Sequence, residues 1–217
     1  MMQIANEKQV PLVVAHYRRE QPLFKKIKQL IEEKAIGDLR FARLEMYKKL
    51  LTEKELAVPN TAWRVNKSIA GGGLFHDLAP HQLDLMYFFF GEMEMAKGFG
   101  MNQGKRYDAD DLVTGNIIFK NGMVFNGLWS FAVNADSEKD QCEIIGANGK
   151  IRFSFFNQAP LEITINDLTE QLLFEPLQHV QEPMIDAVVK YFLQQGPNPC
   201  TAKEGVEVMR IMEELTR

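Results

Sequence analysis

The chain has 217 residues, 46% of them hydrophobic and 25% charged, with 25 basic and 29 acidic side chains for a formal charge of −4. Such a chain can bury a substantial core, and its composition excludes a disordered protein, a collagen-like repeat or a coiled coil. The acidic balance argues against a nucleic-acid partner, and no apolar run reaches the roughly 20 residues of a membrane span.

Taken in chain order, Gln9 to His16 reads QVPLVVAH, an apolar run suited to a buried strand. Only eight residues precede it, so either later strands flank it or a preceding domain has been removed. The paired Met1 and Met2, followed by no apolar signal-peptide core, fit a start placed before an internal fragment. A helix follows, with Leu23, Phe24, Ile27, Leu30 and Ile31 on one stripe and Gly37 placed to end it. Leu39 to Leu51 reads as a long strand, the stretch around Pro59 as a looser segment, and Leu74 to Phe90 as a helix ending at Gly91.

The second half is rich in strands. Leu112–Phe119 and Met123–Phe131 flank Asn121-Gly122, a strong hairpin signal. Gln141–Ile145 with Ile151–Phe156, and Leu161–Ile165 with Gln171–Phe174, read as two further hairpins, the last turning at Asn166-Asp167. Helices over Met184–Leu193 and Thr201–Leu215 close the chain, the second opened by a Thr201/Glu204 capping box. Neighbouring strands joined by tight turns predict an α+β fold, a largely antiparallel sheet with helices on one face. Apolar residues at both parities ask for cover on both faces: Val113, Ile117 and Phe119 against Leu112 and Ile118, and Phe125 and Trp129 against Val124, Leu128 and Phe131. A homo-oligomer paired through the sheet is therefore expected.

The chemistry concentrates in Gly71–Gly91, GGGLFHDLAPHQLDLMYFFFG. On a helix Asp77, His81 and Asp84 share one face, costly to bury unless the groups pair or meet a ligand. His81 can exchange a proton near neutrality, with a neighbouring carboxylate to orient it. Plainer roles stay open: Asp77 as an N-cap, His81 as a hydrogen-bonded core residue, Asp84 as the partner of an arginine. Pro80 predicts a regular helix starting no earlier than about His76. His76 and His81 do not share a face, so no metal site is expected. Gly98-Phe99-Gly100 with Gly104 mimics a nucleotide loop, but no amphipathic helix follows, and it reads as a turn. Cys142 and Cys200 make no disulfide framework and suit a reducing cytoplasm.

Ala15-His16-Tyr17-Arg18-Arg19 with Pro22, then Ile36-Gly37, Trp63-Arg64, Gly71-Gly72-Gly73, Asp77-x-x-x-His81-x-x-Asp84 and Gly91 together resemble one family. It is the glucose-fructose oxidoreductase, inositol dehydrogenase and MocA (Gfo/Idh/MocA) family, in the part that follows the Rossmann domain. The resemblance runs from the strand before Arg19 to the Thr201 helix. It implies a two-domain, NAD(P)-dependent oxidoreductase acting on sugars, polyols or related hydroxy compounds. The first domain of such proteins carries a glycine-rich loop and a Glu-Lys-Pro motif, and this sequence has neither. Residues 1–16 are then expected to be the last strand of the nucleotide-binding domain, and 17–217 the substrate-binding domain. By resemblance His81 is the acid/base and Asp77 works beside it, while Trp63, Arg64, Tyr17, Arg18 and Asp84 line the substrate. NAD or NADP belongs to the full-length protein, with none expected on this fragment, which alone would be inactive. The resemblance also implies sheet-face pairing into a dimer or tetramer. The alternative is a non-enzymatic carbohydrate-binding or assembly module that retains the fold.

Overall fold

The computed structural model describes residues 1–217. Its elements in chain order are α1 (Met2–Lys8), a 3-10 turn (Tyr17–Glu20), α2 (Pro22–Glu32), β1 (Leu39–Lys49) and three short helices, α3 (Glu53–Leu56), α4 (Pro59–Val65) and α5 (Lys67–Ala70). Then come α6 (Gly73–Phe90), β2 (Met93–Met101), β3 (Leu112–Phe119), β4 (Val124–Val133), β5 (Lys139–Gly146) and β6 (Gly149–Phe153). The chain closes with β7 (Leu161–Ile165), β8 (Leu168–Leu172), α7 (Glu182–Phe192) and α8 (Ala202–Leu215). Eight strands form one sheet in the order β2-β3-β4-β1-β5-β6-β7-β8. Neighbours are antiparallel except β1 and β4, which run parallel, so the fold is the expected α+β with a mixed sheet.

The core lies between one sheet face and the helices α2, α6 and α8. From the sheet it takes Leu44, Val113, Ile117, Phe125, Trp129, Cys142 and Ile151, all essentially without exposure. Phe75, Ala79, Leu83, Met86 and Phe90 recur every three or four residues and seat α6 on that face. Val208, Ile211, Met212 and Leu215 do the same for α8. The Trp129 indole N–H donates to the Gln82 side-chain oxygen at 2.6 Å, a buried polar tie between β4 and α6. The Thr201/Glu204 capping box forms as the sequence implies.

Several expectations need correction. Residues 9–16 add no strand to the sheet: they run beside the start of α8, with a single bridge from Val13 to Thr201, because no strand of this chain lies alongside them. The helix α2 ends at Glu32, with Glu33 as its C-cap, and Gly37, at φ +76°, serves the turn into β1 instead. Around Pro59 the chain is helical rather than loose. Gly98 and Gly100 sit inside β2, not in a turn, and a Cβ at Gly98 would stand 2.5 Å from the Thr114 carbonyl and 2.7 Å from that of Leu215. Glycine is there to let β3 and the end of α8 approach. Phe131 shares the parity of Phe125 and Trp129 and is buried with them, not on the opposite face. The open face keeps Leu112, Ile118, Val124 and Leu128 and adds Phe41, Met95, Phe99 and Met101, the last four 40–55% exposed.

The candidate active site on helix α6

The helix α6 carries the polar face, and it starts three residues earlier than Pro80 suggests. Gly73, at φ +69°, opens it in a conformation glycine tolerates, and a Cβ there would meet that of Ala109 at 2.5 Å. The helix then runs through Pro80, held by the buried Phe75, Ala79 and Leu83 despite the lost hydrogen bond to the His76 carbonyl. Gly72 takes the N-cap position, so Asp77 lies in the helix body and is not a cap. Its carboxylate pairs with Arg64 at 3.1 Å, and the Arg64 guanidinium lies 5.2 Å over the Trp63 ring. The short α4 thereby brings both residues to Asp77.

His81, one turn on, is flanked by two rings. Tyr17 meets it edge-on at 5.3 Å between centroids, and Phe156 at 6.2 Å. Its Nδ1 is buried and has no hydrogen-bond partner. Burial, the charge of Arg18 and that of His16 pull its pKa down to about 4, against an upward pull from Asp77. The imidazole is therefore neutral at pH 7 and able to accept a proton. Arg18 stacks 4.3 Å over Phe156 and 5.1 Å over Tyr17, and its Nη1 donates to the Phe155 carbonyl at 2.5 Å. Tyr17, Phe156, Arg18 and Asp77 thus act on His81, with Arg64 and Trp63 joined to it through Asp77.

Asp84 is engaged elsewhere, by Arg19. It is fully buried, and Arg19 donates to both its oxygens at 2.7–3.0 Å. The same guanidinium reaches Glu204 at 2.6 Å, and His16 Nε2 stands 4.0 Å from Asp84. Burial opposes the charge on Arg19, but its hydrogen bonds to Asp84 and Glu204 hold its pKa above the ordinary value. This cluster pins the 3-10 turn to α6 and α8. Sequence reasoning missed Arg19 and Glu204 as its members and Phe156 as a wall of the site. The signals were the Arg18-Arg19 doublet and the aromatic run at Phe153–Phe156.

Gly98 and Gly100 lie inside β2 and Gly104 in the loop beyond, so these three glycines open no helix and form no phosphate cradle. No helix is long and apolar enough to cross a membrane.

Residues 24–152 match the GFO/IDH/MocA C-terminal domain. Oxidoreductase P35 of Formosa agariphila is 39% identical over 213 residues, 98% of this chain and 64% of that protein. Levoglucosan dehydrogenase of Pseudarthrobacter phenanthrenivorans is 28% identical over 190 residues, 75% of this chain and 47% of the relative. A solved levoglucosan dehydrogenase, in complex with NADH and levoglucosan, shares the fold at TM-score 0.79 and 23% identity, over 98% of this chain and 65% of that one. The chain thus spans less than two thirds of each of these proteins. With its matched segment and its 39% identity to a relative along nearly its whole length, the chain belongs to the GFO/IDH/MocA family, of which it carries the C-terminal domain.

Proposed function

We propose that this chain is the substrate-binding part of an NAD(P)-dependent oxidoreductase that moves a hydride between nicotinamide and a hydroxyl-bearing carbon of a sugar or polyol. Residues 17–217 form the substrate domain, and residues 1–16 lead from a nucleotide-binding domain outside this chain. The observation that carries the reading is His81: neutral, walled by Tyr17 and Phe156, and one turn from the Asp77–Arg64 pair. The nicotinamide, held by the other domain, supplies the hydride acceptor. His81 takes the hydroxyl proton; with Nδ1 buried, Nε2 is the nitrogen for the exchange. Asp77 favours the imidazolium that results, and Arg64 holds that carboxylate in place. Tyr17, Arg18 and Trp63 offer a guanidinium and aromatic surface to the substrate. Alone, the chain lacks the group that exchanges the hydride and is inactive. The separate levoglucosan dehydrogenase complex, with its NADH and anhydrosugar, supports the substrate class.

The reading also places a second copy on the open sheet face. Phe41, Met95, Phe99, Met101 and Val124 stand 38–55% exposed in one continuous patch on β1 to β4, of the sort that marks an interface. A two-fold dimer, or a tetramer built from it, covers this patch.

The test is His81→Asn in the full-length oxidoreductase. General acid–base chemistry is worth about 10²- to 10⁴-fold, so kcat should fall by that much while cofactor affinity holds. Unchanged turnover would instead leave a carbohydrate-binding or assembly module.

A further inference from the structure

Arg18 stands apart from the guanidiniums near it. Arg19 is paired with Asp84 and Glu204, and Arg64 with Asp77, whereas Arg18 is half-buried with no carboxylate partner. One of its N–H groups is taken by the Phe155 carbonyl, and its buried Nε has no acceptor. Burial lowers its pKa from the ordinary value, against a partial upward pull from Tyr17 and from the Asp140 carboxylate. A cation placed so is stabilised by an incoming anion.

Arg18 also lines a cavity of about 180 Å³ whose other walls include Phe155, Phe156, Asn157, Gln158, Phe174 and Glu175. One wall is rigidly built. The buried Asp140 carboxylate accepts the backbone N–H groups of Phe155, Phe156 and Asn157 at 2.7–3.1 Å, fixing the segment that holds Arg18. The rings that carry Arg18, Tyr17 and Phe156, are the same two that flank His81. Arg18 thus shares both ring neighbours with the proposed acid/base, which itself stands outside the cavity's lining. Arg18 is the cavity's one cation, with Glu175 in the lining and the Asp140 carboxylate acting on Arg18, so a dianion is disfavoured relative to a single negative charge.

We propose that Arg18 binds the carboxylate of the substrate, which makes the substrate class a sugar acid, an aldonate or a uronate, with its reacting hydroxyl at His81. This rests on the oxidoreductase reading above. The guanidinium fork matches the two oxygens of a planar carboxylate, a match that an ammonium group cannot reproduce.

The experiment measures binding of D-gluconate, D-glucuronate, D-glucose and D-glucose 6-phosphate to the 217-residue chain at pH 7 and constant ionic strength, by ligand-observed NMR. At least one of the two carboxylates should bind at least tenfold more tightly than glucose and than the sugar phosphate. Arg18→Gln should remove that advantage, and Arg18→Lys, which keeps the charge without the fork, should retain part of it. Bound carboxylate should also move the His81 titration midpoint upward, an effect absent in Arg18→Gln; Arg18, His16 and Asp77 are the charged or titratable groups acting on that ring. Equal binding of glucose, tighter binding of the phosphate, no binding of either carboxylate, or an unchanged Arg18→Gln would each overturn the assignment. His81→Asn should leave carboxylate binding intact, so failure of the oxidoreductase reading shows separately, as turnover that survives that substitution.

Discussion

Arg19→Met removes one partner from an ion pair whose side chains are 2% and 1% exposed. The change keeps much of the side chain's bulk and deletes all three hydrogen bonds to Asp84, at 2.7–3.0 Å, and the one to Glu204, at 2.6 Å. Asp84 is left fully buried without a donor from Arg19, while Glu204 keeps its capping contacts to Thr201. Breaking a buried pair in this way costs about 3–5 kcal/mol. A domain of this size shifts by about 2–4 °C per kcal/mol, so the midpoint of thermal unfolding should fall by about 6–20 °C. Urea denaturation at pH 7, followed by circular dichroism, gives the free energy directly. The double variant Arg19→Met with Asp84→Leu should recover at least half the loss, because it no longer buries a lone carboxylate. If the single variant loses under about 1 kcal/mol, or the double is as unstable as the two single losses added, the pair is not the anchor described here.

Three further outcomes are expected. His16 and His81, both lowered to about 4 chiefly by burial, should keep neutral imidazoles in NMR titrations until the pH nears 4; inflections near 6.5 would contradict their burial. Because the unfolded chain takes up these protons first, their contribution to stability is complete above about pH 6.5 and is lost as the pH falls from there through 4. Light scattering at micromolar concentration should report twice the chain mass or a higher even multiple, and Met95→Lys with Phe99→Lys should yield monomers; a clean, non-aggregating wild-type monomer would remove the sheet-face interface. Calorimetric titration with NAD and NADP should show no binding tighter than millimolar, and micromolar affinity would mean the chain holds a cradle of its own.

Local signals told most about this chain. Asn121-Gly122 and Asn166-Asp167 mark real hairpin turns, and the Thr201/Glu204 spacing marks a real helix start, because each is set by residues within a few positions of one another. What depended on distant neighbours was less legible. The apolar run Val10–Ala15 has strand composition, yet whether it joins a sheet depends on a strand beside it. Pro80 points to a helix start near His76, whereas the helix, held by buried Phe75 and Ala79, starts at Gly73. Gly98 and Gly100 resemble a loop until Leu215 is seen packed on the strand. At the site, the polar face of α6 was visible from spacing, whereas Arg19 meets its partners 65 and 185 positions away. No periodicity records such a pair.

The doublet Arg18-Arg19 shows how anchor and site depend on each other. In the tight turn Tyr17–Glu20, successive side chains leave in widely separated directions. Arg19 goes inward to Asp84 and Glu204, and Arg18 goes to the cavity beside Phe156. Asp84 lies on the same helix as Asp77 and His81, so the ion pair sets the position of the turn relative to the imidazole. Tyr17 and Arg18 reach His81 because Arg19 is held. The costly burial of charge at Asp84 thus fixes geometry at a place where an error of about 1 Å can cost a hundredfold in rate. Loss of Arg19 should disturb both the fold and the site, while loss of Arg18 should spare the fold and empty the cavity of its one cation.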